Sequence, residues 1–206
     1  MAATLLNSLK QANLLPSKVI PADFVPAVAL DVRYPTKHIS NGTLVRVSEV
    51  GDVPSISVSP IPTADAAATA PPSPASPKSK FTFMLIDPDA PTPDDPKFGY
   101  WRHWVVTNID IDLDAAGEGT SVLDRGRTLT RYLAPGPRDE SGPHRYLFLL
   151  FREPEAGLRL EQSDVGGEAF VERRSFRAEE FVERHGLRLV GVQWMRGVGD
   201  GWKGEE

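Results

Sequence analysis

Apolar and polar positions recur along this chain with two periods, about 3.6 residues near the start and two over much of the remaining length. Leu5, Leu6, Leu9 and Ala12 share one face of a helical repeat, with Thr4 placed to cap it and Pro16 just past its end. Residues 1–16 therefore read as a helix or arm that either covers part of the domain or reaches for a partner. Val28 to Val32 and Thr43 to Val47 read as strands, with Asn41-Gly42 as a turn before the second. Ser55-Ile56-Ser57-Val58-Ser59 alternates strictly, as a strand buried on one face does. Residues 81–86, 104–109 and 146–151 are nearly continuous apolar runs, which calls for central strands covered on both faces. Residues 176–185 return to helical spacing with Gly186 as a stop, and residues 187–194 close as a strand.

The expected fold is mostly β: a two-sheet, antiparallel-type sandwich with a few peripheral helices, forming a single domain over residues 1–206. Residues 62–80 are rich in Pro, Ala, Ser and Thr and carry too little apolar surface to fold, so they are expected to form a flexible insertion. The Gly-rich stretch 197–206 is expected to be a frayed tail.

Composition narrows the function. Hydrophobic residues make up 40% and charged residues 25%, ordinary for a globular protein. There is no cysteine, which excludes disulfides, thiolate metal sites and cysteine nucleophiles. The net charge of -5 and the lack of a basic stripe argue against nucleic-acid binding. No apolar run approaches the ~20 residues that a membrane-spanning helix needs. With no basic segment leading into an apolar one at the start, the expected location is cytoplasmic.

Chemistry-bearing residues gather beside the buried strands. Asp87-Pro88-Asp89-Ala90-Pro91 follows the strand at 81–86, and Trp101-Arg102-His103 precedes the strand at 104–109. Ala134-Pro135-Gly136-Pro137 and Ser141-Gly142-Pro143-His144-Arg145-Tyr146 lead into the strand at 146–151. Strand ends are where a scaffold presents side chains to a pocket, and the prolines stiffen these loops. Asp87-Pro88 is a candidate cis bond. Glu172-Arg173-Arg174 reads as a solvated charged face.

The segments from Asp87 to Trp104 and from Ser141 to Leu150 resemble the two signatures of the phosphatidylethanolamine-binding protein family. The early helix and the form of the second signature resemble its fungal branch, to which carboxypeptidase Y inhibitors belong. The resemblance implies a β-sandwich with a small pocket for phosphate, phosphorylethanolamine headgroups or similar anions, no cofactor, and no catalysis. By matching position it assigns Asp87, Trp101, His103, Gly136, Pro137, His144 and Tyr146 to the pocket, with Pro88, Asp89, Phe98 and Arg138 in support. It also implies regulation of a protein partner, a serine carboxypeptidase or a protein kinase. In the inhibitor branch an acetylated N-terminus enters the protease, and Ala2 here permits removal of Met1 and acetylation.

This chain departs from the family pattern at Phe98, where many members have Tyr, at Arg138, where a second proline is usual, and at Arg102, often His. Its tail offers no apolar helix to gate the pocket, as animal members have. An alternative reading makes Asp87, Asp89, His103 and His144 the site of a metal-assisted hydrolase, since carboxylate and imidazole are suitable ligands. A serine hydrolase built on Ser141 and His144 lacks the Gly-x-Ser-x-Gly elbow, and Gly142-Pro143 is better explained as turn chemistry. Histidines in an anion pocket predict affinity that rises as pH falls through the usual imidazole range near ~6.5.

Overall fold

The computed structural model describes residues 2–61, 79–111 and 121–204. Helix α1 (Ala2–Gln11) opens the chain, followed by strands β1 (Val28–Arg33), β2 (His38–Ile39), β3 (Thr43–Arg46) and β4 (Ser55–Pro60). After them come β5 (Lys80–Asp87), β6 (Trp101–Asp110), β7 (Arg127–Thr130) and β8 (His144–Arg152). Two short helices, α2 (Gln162–Val165) and α3 (Ala178–Arg184), precede β9 (Arg188–Val198).

The strands form two sheets, β2-β1-β4 and β3-β9-β8-β5-β6-β7. Among the described residues, strand pairing is antiparallel except between β3 and β9, which run parallel. The expected sandwich is present, with that one parallel pair as its departure.

The three apolar runs are the middle of the large sheet. One face, carrying Phe83, Leu85, Phe148 and Leu150, packs against Leu30, Val32, Ile56 and Val58 of the small sheet. The other, carrying Met84, Ile86, Leu147 and Leu149, packs beneath α1 and α3 through Leu5, Leu9 and Phe181, and beneath Phe176 just before α3. Both faces are covered, which is why these strands are apolar at every position rather than at every second one.

Helix α1 begins at Ala2, so Thr4 lies inside it rather than at its cap. It is fastened to the sheet: Leu9 is fully buried, the Trp194 indole N–H donates to Ser8 Oγ at 3.1 Å, and Arg145 donates to the Ala12 carbonyl at 2.7 Å. The helix expected at 176–185 spans 178–184, and the short β2, β7 and α2 had no periodic signal long enough to announce them. Of the insertion expected over 62–80, residues 62–78 lie outside the described residues, and Lys80 already belongs to β5.

The tail departs from expectation. Strand β9 continues through a buried Val198, and Arg46 donates to the carbonyls of Gly199, Asp200 and Trp202. Asp200 in turn accepts from the Ser48 backbone and hydroxyl. The glycines there allow close packing: a Cβ on Gly197 would lie 2.6 Å from the Tyr146 ring. Among the described residues, no helix is long and apolar enough to cross a membrane.

Candidate functional site

Strand order brings the two motifs together. In the large sheet β5 lies between β6 and β8, so Asp87 at the end of β5 sits between the beginnings of both neighbours. Asp87 pairs in register with Trp101, and Leu85 with Phe148. Asp87 and His144 follow the parity of Leu85 and Tyr146, so both lie on the face turned toward the small sheet.

His103 reaches that face by a different device. Ile86 pairs with Arg102 but Leu85 pairs with Trp104, so His103 is an extra residue opposite a single step of β5. A bulge of this kind breaks the alternation of side chains and re-aims one of them. Trp104 packs edge-on against Phe83, 5.3 Å between centroids, and its sequence neighbour His103 packs edge-on against Tyr146, also 5.3 Å. Both partners belong to the core between the sheets. Arg102 points the other way, over Phe176 and bonded to Thr130 Oγ1.

The bulge is braced. Arg173 is buried and donates to the carbonyls of His103 and Arg131 at 3.0 and 2.9 Å, so it is an internal clamp and not part of a solvated charge run. Leu133 N–H donates to the His103 carbonyl at 2.9 Å, and the Leu133 carbonyl accepts from His103 Nδ1 at 2.7 Å. A carbonyl can only accept, so Nδ1 carries the proton and neutral His103 has a bare Nε2. Burial pushes the His103 imidazole below its usual range, against the opposing pull of the Asp87 charge. Any charging of this residue therefore occurs at lower pH than the ordinary imidazole value predicts.

His144 is held differently. Its Nδ1 donates to Asp87 Oδ2 at 2.8 Å, with both side chains 4% exposed. Asp87 Oδ1 accepts the Asp89 backbone N–H at 2.6 Å. The His144 ring stacks 6.3 Å from Tyr146, whose buried phenol is pushed well above its ordinary value and stays a neutral hydroxyl. The cluster thus holds one carboxylate, two imidazoles and a phenol ring within a few ångströms of one another.

The remaining expected residues divide. Trp101 is buried, edge-on to Phe170 at 4.7 Å, and Phe98 is half-buried beneath the Arg174 guanidinium at 4.4 Å. Pro137 is buried, while Gly136 and Arg138 are exposed. Pro88 is half-buried, and its carbonyl approaches Gly99 so closely that a Cβ there would lie 2.3 Å away. Asp87-Pro88 is trans; among the described residues the cis bonds are Leu15-Pro16, Ala90-Pro91 and Gly99-Tyr100.

Asp89 does not join the cluster. Its Oδ2 accepts from the Arg145 backbone and Nε at 2.7 and 2.9 Å, and its Oδ1 from Arg145 Nη2 at 2.6 Å. Those oxygens are committed, so Asp87, Asp89, His103 and His144 do not converge as one ligand set. Among the described residues, no group of three or more His, Asp or Glu is arranged to hold a metal ion.

Two residues that touch the histidines lie outside the expected site set. Leu133 contributes a carbonyl rather than a side chain, which composition cannot flag. Ser141 contributes a hydroxyl 3.1 Å from His144 Nε2. Its spacing three residues before His144 was the only signal available.

A family model described as phosphatidylethanolamine-binding protein matches residues 27–192. The rice (Oryza sativa subsp. japonica) protein MOTHER of FT and TFL1 homolog 2 is 31% identical over 169 residues, covering 81% of this chain and 78% of the relative. TERMINAL FLOWER 1 of Arabidopsis thaliana is 31% identical over 132 residues, covering 64% and 61%. Carboxypeptidase Y inhibitor, solved in complex with its cognate proteinase, superposes with a TM-score of 0.75 at 21% identity, covering 97% of both chains. A phosphatidylethanolamine-binding protein from Plasmodium vivax gives 0.69 at 20% identity, covering 95% of this chain and 97% of that one.

Proposed function

The chain belongs to the phosphatidylethanolamine-binding protein family, and from that premise we propose that it is a non-enzymatic binding protein for small phosphate-like anions or headgroups that regulates a protein partner. The observation that carries this reading is the buried Asp87–His144 pair with the bulge-directed His103 beside it. The stacked rings and the trapped backbone contacts hold these groups in place before any ligand arrives, which lowers the entropy lost on binding.

The proton arrangement narrows the ligand. Neutral His103 offers a lone pair at Nε2, so its best partner donates a hydrogen bond, as the P–OH of a hydrogen phosphate or phosphomonoester does. Asp87 disfavours a bare anion unless His144 or His103 carries a proton. A phosphomonoester monoanion meets the first demand through its P–OH and eases the second by carrying one negative charge fewer than the dianion.

Support for a protein partner comes from the fold neighbour that was solved bound to a proteinase. On this reading a serine carboxypeptidase is the first partner to test, with a protein kinase second. The N-terminal segment is the proposed contact, through Ala3 and Thr4, which are exposed on α1. The protein acts in the cytoplasm in this proposal.

Calorimetric titration of phosphate and phosphorylethanolamine into wild type, His103→Gln and His144→Gln tests the pocket. Saturable binding in wild type that is weakened in both folded variants supports the reading. Equal binding in all three, or none in wild type, overturns it.

A further inference from the structure

Asp87, His103 and His144 all have a part in the anion site; Ser141 has none. Ser141 Oγ lies 3.1 Å from His144 Nε2, and the opposite ring nitrogen, Nδ1, lies 2.8 Å from Asp87 Oδ2. Carboxylate, imidazole and hydroxyl form one hydrogen-bonded line. Asp87 and His144 are buried and Ser141 is half-buried, so the line runs from the interior outward. A hydroxyl in reach of an imidazole that a third group orients is the arrangement by which serine nucleophiles are activated, and it is recognised by geometry rather than by a sequence elbow.

The local backbone suits that role. Ser141 ends a single 3₁₀ turn, Asp139–Ser141, and Gly142 follows in the left-handed region at φ 76°. A Cβ on Gly142 would meet nothing within 4 Å, so the space beside the turn is open. The turn is anchored from the tail, where Gly201 N–H donates to Asp139 Oδ1 at 2.9 Å. The Ser141 hydroxyl has three acceptors in reach, His144 Nε2, the Arg138 carbonyl at 2.8 Å and the Gly142 carbonyl at 3.4 Å. Rotation of its proton from the carbonyl to Nε2 arms the oxygen.

We propose that Ser141 is a reactive serine, a covalent acylation site that takes small acyl groups from activated esters. In the step, Ser141 Oγ forms a bond to the ester carbonyl carbon while its proton passes to His144 Nε2. The carbonyl electron pair shifts to oxygen and then returns, expelling the alkoxide. The alkoxide takes the proton from His144 and departs as the alcohol, leaving acyl-Ser141. Atoms and charge balance with no oxidant, reductant or further co-reactant. Asp87 keeps Nδ1 protonated and offsets the transient charge on the ring.

The test uses the full chain with p-nitrophenyl acetate, reading released p-nitrophenolate and the acetylated residue by peptide mass mapping. The exposed Ser55 and Ser175 serve as internal references in the same molecule. General-base assistance is worth about 100-fold or more in rate, so Ser141 is expected to acetylate at least that much faster than either. The Ser141→Ala protein should lose the site and the matching p-nitrophenolate, and a folded His144→Gln protein should bring Ser141 down to the rate of Ser55. Acetylation of Ser141 no faster than Ser55 and Ser175, or a rate unchanged in folded His144→Gln, overturns the proposal. Phosphate titration of the same preparations reports on anion binding separately, so loss of one reading leaves the other standing on its own data.

Discussion

Asp89 grips Arg145 through both carboxylate oxygens, and Arg145 passes the contact on to the Ala12 carbonyl. The first motif, the second motif and the end of α1 are thereby tied at one point. Asp89 is 1% exposed at its side chain and Arg145 29%, so removing the acid strands a half-covered cation rather than a solvated one. Breaking a buried pair by deleting one partner costs about 3–5 kcal/mol, and the partial exposure of Arg145 places Asp89→Ala near the lower end. Urea unfolding of Asp89→Ala against wild type measures this; a loss under about 0.5 kcal/mol, the size of an ordinary surface change, would sink the tie.

His103 sets the acid limb of stability. Its imidazole is held below the usual range in the folded chain, while in the unfolded chain it titrates near ~6.5. Between those two values the unfolded state binds more protons than the folded state, so stability falls as pH falls. Folding free energy should therefore decline below about pH 6.5, and His103→Gln should flatten that decline. Ligand binding has the same sign through a different proton: neutral His103 accepts from the P–OH of a phosphomonoester, so binding selects the protonated ligand and should take up a proton and tighten as pH drops toward the second phosphate pKa near ~6. Calorimetry in buffers of different ionisation enthalpy detects the uptake, and pH-independent affinity would remove His103 from the mechanism.

The layers of the fold were readable from Phe81-Thr82-Phe83-Met84-Leu85-Ile86 and its two companions, because a strand covered on both faces has no reason to alternate. The pairing of Asp87 with His144 was legible only through the resemblance, since their 57-residue separation gives no periodic signal. The aim of His103 was not legible at all. Alternation places it opposite Trp104, and only the two-for-one pairing with β5 reverses that. The tail failed for a related reason: Gly197 and Gly199 read as flexible in isolation, but their missing side chains are what let Tyr146 and Asp139 approach.

Glu153 is a buried carboxylate that serves as a hub. Its Oε1 accepts from Thr82 Oγ1 at 2.7 Å, Thr107 Oγ1 at 2.9 Å and the Asn108 backbone at 2.8 Å. Asn108 stands at φ 55°, so this contact also fixes an unusual backbone position at the far end of β6. Glu153→Ala leaves these donors without an acceptor, at about 1–3 kcal/mol for each unsatisfied group before relaxation. Glu153→Gln keeps a carbonyl oxygen in place and should cost about 1 kcal/mol. Equal destabilisation by Ala and Gln in thermal unfolding would mean that charge, not the hydrogen-bond hub, is what matters.

Gly197 links packing to the site most directly. It lies opposite His144 in the β8–β9 ladder, and a Cβ there would stand 2.6 Å from Tyr146 Cε2. Tyr146 is 1% exposed and is flanked by His103 edge-on and His144 face-on, so its ring has nowhere to retreat without moving an imidazole. Overpacking of this kind costs about 1–3 kcal/mol, spent here on displacing Tyr146 and the two histidines that flank it. Gly197→Ala should therefore weaken phosphate binding by a larger factor than an equally destabilising change at a distance, such as Val58→Ala in β4. Measuring affinity and stability on both variants separates the two effects. If they lose affinity in proportion to stability alone, Tyr146 is a bystander to the pocket; if Gly197→Ala loses more, the ring is what holds the two histidines in register.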